Sequence, residues 1–171
     1  MDLTPAALLA MTLSFVVYAT AAVWYAVPRL RGLPLGDALA PLLWIHAFRH
    51  IALQLFSSQE FGFAIPDAVR DQIAYGDLVG MLLALGTLYA IRFGRRLAVP
   101  LVWVFVVATT IDLANAALQG IREELFAEAT DVSWLILTFY VPALWVSLGL
   151  VVWTLLTRRS EAVRANGATT G

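Results

Sequence analysis

Three basic side chains sit within little more than one helical turn at His46, Arg49 and His50, inside a stretch that is otherwise apolar. Two carboxylates, Asp77 and Asp112, lie in two further apolar stretches, and Asn115 follows Asp112 by three residues. Imidazoles and carboxylates are the groups that carry protons near neutral pH, and a guanidinium orients carboxylates. His46, Asp77 and His50 are therefore the candidate catalytic groups for proton transfer. Arg49, Asp112, Asn115, Tyr140 and Trp145 are the candidate ligand-binding groups, the two aromatic rings being suited to facing positive charge. Other uses of the same residues stand beside this one. Arg49 with Asp77 or Asp112 is also what a structural ion pair looks like, and Asp112 with Asn115 is what two helices use to hold each other by hydrogen bonds. His46 and His50 have metal-ligand spacing and would form a two-histidine, two-aspartate site with Asp77 and Asp112. The arginine between them opposes a cation, so neither a metal nor another cofactor is expected. Two histidines on one helix cannot sandwich a haem iron.

The elements that hold these residues follow from composition. Apolar residues make up 61% of the 171 and charged residues 13%, against about 45–50% and about 25% in soluble domains. That much apolar surface calls for lipid as solvent. A bilayer core about 30 Å thick needs roughly 20 apolar residues in a helix. Five stretches have that length: 6–27, 35–57, 72–93, 97–118 and 133–156. The first carries Asp2 and no basic residue on its N-terminal flank and is too long for the core of a signal peptide. The predicted fold is all-α, a five-helix integral membrane bundle over residues 1–159, with a disordered tail at 160–171.

Arginine placement predicts the direction. With alternating spans, Arg29, Arg31, Arg92, Arg95, Arg96, Arg158, Arg159 and Arg164 share one side, and only Arg70 and Arg122 take the other. The positive-inside rule then puts the N-terminus outside and the C-terminus in the cytoplasm, in what is expected to be a bacterial inner membrane. On a rise of about 1.5 Å per residue, Arg49 and His50 lie roughly 10–12 Å below the outer boundary, Asp112 roughly 10 Å and Asp77 roughly 8 Å. His46, Arg49, His50 and Leu53 follow helical spacing and predict one inward stripe. Thr109, Asp112 and Asn115 predict a second. Gly76, Gly80 and Gly86 leave room near Asp77, for close helix approach or for a ligand. Phe61, Phe63, Ile65, Leu125 and Phe126 predict outer loops that fold back onto the membrane surface. An ionisable residue inside a membrane is a functional hypothesis by default.

The net charge of −1 gives no field for nucleic acid. There is no cysteine, which excludes disulfides and thiolate chemistry, and no lysine, which excludes a retinal Schiff base. The absence of an internal repeat counts against a secondary transporter.

The last span, from Trp134 through Tyr140, Pro142 and Trp145 to a basic end, resembles the final helix of the EXPERA superfamily, which includes emopamil-binding-protein-like and sigma-2-receptor-like proteins. The segments Ile45–His50 and Tyr75-Gly76-Asp77 resemble two earlier helices of that family, over residues 42–159 in all. The resemblance implies a pocket for a sterol- or isoprenoid-like ligand and, in one branch, isomerisation by proton transfer. His50 stands where the family has an acid one turn after the histidine, which favours binding over isomerisation. Expected partners are thus a lipophilic small molecule and membrane lipid, with a second copy or a membrane complex also possible on sequence. Two other functions use the same residues differently: an accessory subunit of a membrane complex, and a proton-coupled transporter.

Overall fold

The computed structural model describes residues 4–94, 96–129 and 131–158. Asp2, Arg95, Arg159, Arg164 and the expected tail at 160–171 lie outside the described residues. Helices α1 (Thr4–Arg31), α2 (Leu35–Glu60), α3 (Asp67–Arg92), α4 (Ala98–Arg122) and α6 (Asp131–Thr157) are each long and apolar enough to cross a membrane. The one-turn helix α5 (Leu125–Glu128) sits in the last connection. Among the described residues there is no strand. Each long helix outruns its apolar stretch, because the backbone keeps its hydrogen bonds for a further turn after the side chains become polar.

Short connections make α2 and α3, and α3 and α4, antiparallel neighbours. Gly94, at φ +60°, ends α3 in the left-handed conformation that glycine adopts without steric penalty. Helix α3 packs on α2 and α4, and α2 packs on α6, while α1 rests mainly on α6 and α5 at the edge of the bundle. One core, around Leu39, Leu43, Ala84, Phe105 and Val151, fills the end where Arg31, Arg92 and Arg158 lie. At that end the Arg158 guanidinium donates to the carbonyls of Leu30 and Arg31, at 2.6 and 2.5 Å, and to that of Leu33. These carbonyls lie at the end of α1 and in the turn after it, where helical partners run out, so Arg158 staples α6 to the α1–α2 turn.

A second core occupies the opposite end. Phe63, Ile65 and Leu125 turn into the bundle and pack with Leu55, Val69 and Ala129. The expected fold-back of these loops onto a membrane surface is thus corrected for Phe63, Ile65 and Leu125, whose apolar side chains find a protein pocket instead. Phe61 alone stays outside, 89% exposed.

Three helices depart from α geometry. In α1 and α6, wide π-type turns span Ala22–Ala26 and Ile136–Tyr140. Each precedes a proline, Pro28 and Pro142. A proline ring clashes with the carbonyl four residues back and has no N–H to offer it. The chain widens instead: the N–H of Val27 donates to the Ala22 carbonyl and that of Val141 to the Ile136 carbonyl, each five residues back. In α2 the backbone tightens to a 3₁₀ helix over Phe48–Leu53. No proline or glycine within that stretch forces the change.

Candidate functional site

The 3₁₀ stretch decides which side chains of α2 face inward. Four α-helical steps would place His50 about 40° from His46; with the 3₁₀ stretch starting at Phe48, half of these steps are tighter and the angle grows to about 80°. Tightening therefore draws Arg49 toward the line of His46 and rotates His50 away from it. From Arg49 onward the buried residues are Arg49, Ala52 and Leu55, spaced by three and continuing from the buried His46. His50 is exposed and Leu53 with it. This corrects the expected stripe of His46, Arg49, His50 and Leu53. The His50 ring lies beside Phe48 and within 3.4 Å of the Ala47 carbonyl, away from the other site residues.

Arg49 is the largest fully buried side chain of the described protein. Its Nε and Nη2 both lie 2.5 Å from Asp77 Oδ1, and Nη2 also donates to Asp112 Oδ2. One guanidinium thus clamps α3 and α4 to α2. A buried guanidinium is tolerated only with partners of this kind, and here the planar fork meets two carboxylates at once.

Two glycines make the clamp possible. A methyl group at Gly80 would overlap the Arg49 guanidinium, and one at Gly76 would overlap the Asp112 carboxylate. The side chains of α2 and α4 cross the bare backbone of α3 at these two points, one turn apart. Gly86 has nothing within 4 Å of its added methyl and takes no part. The room that glycine leaves near Asp77 is therefore filled from within the protein at Gly76 and Gly80.

Helix α6 is tied to the same region by two hydroxyls. Tyr140 donates to the Ile45 carbonyl at 2.8 Å, just before α2 tightens, and Ser147 donates to the Leu42 carbonyl at 3.0 Å. Going forward along α6 from Tyr140 to Ser147 goes back along α2 from Ile45 to Leu42, as antiparallel helices require.

A cavity of about 250 Å3 opens between α1, α4 and α6, with α2 and α3 at its base. Its wall is almost wholly apolar, from Leu8 and Phe15 on α1 to Ala116 and Gly120 on α4. Among the described residues Asp77 is the only charged side chain that reaches it, and Tyr140 and Trp145 line it nearby. Asp112 faces away, into a recess of about 270 Å3 between α3 and α4 that is also walled by Gly76 and Gly80. The ion-paired cluster separates these two spaces. Of the sequence-selected residues, Arg49, Asp77 and Asp112 meet directly, and Asp77, Tyr140 and Trp145 share the cavity. His46 is fully buried against Phe105, with ring centroids 5.0 Å apart, and lines neither space. Asn115 is half-buried one turn beyond Asp112 and is not a partner of Arg49. Reading the sequence missed Ser147, Phe105 and the α1 wall of the cavity. Only the serine, a polar residue in an apolar span, carried a signal there.

A family model described as Domain of unknown function (DUF8737) matches residues 6–156. No curated protein and no solved structure matches the chain.

Proposed function

We propose that this chain, which belongs to the DUF8737 family of domains of unknown function, is a multi-pass membrane protein that binds a lipophilic small molecule in the cavity beside Asp77. The observation that carries this reading is the cavity itself: an apolar chamber with one carboxylate in its wall and two aromatic rings beside it. An apolar body of sterol or isoprenoid type would fill the chamber, and its polar head would meet Asp77. Arg49 offsets one of the two carboxylate charges it touches. The remaining negative charge favours a head that donates hydrogen bonds or carries positive charge, with Tyr140 and Trp145 offering their faces to it. This accords with the EXPERA resemblance and with its departure at His50. Neither His46 nor His50 lines the cavity, so among the described residues Asp77 meets no imidazole there, which favours binding over isomerisation.

The arginine asymmetry supports an N-terminus outside and a C-terminus in the cytoplasm: Arg29, Arg31, Arg92, Arg96 and Arg158 lie at one end of the helices and Arg70 and Arg122 at the other. The cavity then lies in the outer half of the membrane.

The test is mass spectrometry of small molecules retained by the purified protein, wild type beside Asp77→Asn. A defined lipophilic species present in the wild type and depleted at least tenfold in the mutant is expected. Equal retention by both would refute a role for Asp77. Retention by neither, with both folded, would turn the search to an accessory role in a membrane complex.

A further inference from the structure

Four buried polar atoms on side chains of α2 and α4 have no hydrogen-bond partner among the described residues. They are both ring nitrogens of His46, Nη1 of Arg49 and the hydroxyl oxygen of Thr109. All three side chains are fully buried. Contacts on either side bring them together. Phe105 packs edge-on against His46, and Asp112 accepts from Arg49. Phe105, Thr109 and Asp112 follow i, i+4, i+7 on α4 and so share one face. Thr109 thus lies on α4 between the residue that meets His46 and the residue that meets Arg49.

Native interiors rarely leave such atoms unmet, and four in one place from three side chains call for a shared partner. We propose that this cluster is a buried water site, in which ordered water links Arg49 Nη1, the Thr109 hydroxyl and the His46 ring. The donor and acceptor set fits water closely. The guanidinium only donates, the hydroxyl does both, and a neutral imidazole offers one donor and one acceptor. Water bound inside proteins makes two to four such bonds, whereas a metal ion would meet the arginine charge and an anion would meet two carboxylates. The α3–α4 recess is a short route in, because its wall includes Gly80, whose bare backbone lies against Nη1, and Asp112. The water ties His46, which does not line the apolar cavity, into the same hydrogen-bonded network as Asp77 and Asp112. This inference does not depend on the identity of any cavity ligand.

The chain has two histidines, so a His50→Gln variant, changed at an exposed position, leaves His46 as the sole imidazole. That variant, uniformly labelled with 15N and placed in lipid bilayers, is measured by water-edited solid-state NMR. Rapid transfer of polarisation from water protons to the His46 ring nitrogens is expected. Thr109→Val should then shift both ring resonances and slow the transfer, and Thr109→Ser, which keeps the hydroxyl, should restore them. A His46 ring that receives no polarisation from water while the 61–66 connection does would overturn the proposal. So would ring resonances that are the same with threonine and valine at position 109. Should Thr109→Val fail to fold, the transfer in the His50→Gln protein and in its Thr109→Ser derivative still decides the matter.

Discussion

Gly80→Ala and Gly86→Ala make the same chemical change on the same helix and should move stability in opposite directions. Alanine is favoured over glycine inside a helix by about 1 kcal/mol, so propensity alone predicts a gain at both positions. At Gly86 nothing lies within 4 Å of the new methyl, and the gain should be realised. At Gly80 the methyl overlaps Nη1 of Arg49, with the central guanidinium carbon 2.8 Å away. A free arginine would swing aside. This one is held by Asp77 and Asp112 and is buried on every side. Overpacking of a fixed site costs about 1–3 kcal/mol, and stretching the ion pairs of a buried guanidinium adds to that. Setting these against the propensity gain leaves a net loss of about 2 kcal/mol at Gly80, and a gap of about 3 kcal/mol between the two variants. Unfolding in mixed micelles with rising dodecyl sulfate, followed by tryptophan fluorescence, measures both. An Arg49→Met background should abolish the penalty, because the group that the methyl strikes is gone. Gly80→Ala as stable as Gly86→Ala in the wild-type background would refute the account of α3 as a bare track for the guanidinium.

The remaining expectations concern the clamp, the staple and the direction of the chain. Arg49→Met leaves two half-buried carboxylates unpaired and should cost up to about 3–5 kcal/mol by the same unfolding assay, with Asp77→Asn and Asp112→Asn together restoring much of the loss. Arg158→Ala removes the donor shared by the carbonyls of Leu30, Arg31 and Leu33 and should lower stability by about 1–3 kcal/mol, with hydrogen exchange rising first in the α1–α2 turn. Tyr140→Phe loses one hydroxyl bond to the Ile45 carbonyl and should cost about 0.5–1.5 kcal/mol. Since the chain has no cysteine, Thr170→Cys reports direction without background: an impermeant maleimide should label it only after intact cells are opened, and labelling from outside would reverse the proposed orientation.

The amino-acid sequence by itself determined the five helices, because length and apolarity along the chain are local properties and lipid-scale stretches are visible in composition. It also determined which polar residues the helices would have to accommodate, and that Arg49, Asp77 and Asp112 would lie at comparable heights, since height follows from a constant rise per residue. Direction around the helix was another matter. The 3₁₀ stretch adds about 20° of turn per residue, enough to keep Arg49 inward and carry His50 outward, and no residue in Phe48–Leu53 announces it. The two π turns were closer to legible, because Pro28 and Pro142 mark where the backbone must yield. Which acids meet the arginine, which glycines the clamp needs and which wall Asp77 reaches were decided only by tertiary packing. These depend on how α2, α3, α4 and α6 sit around one another, and the free energy that sets that order comes from contacts between residues far apart in the chain, which spacing along a single helix does not encode.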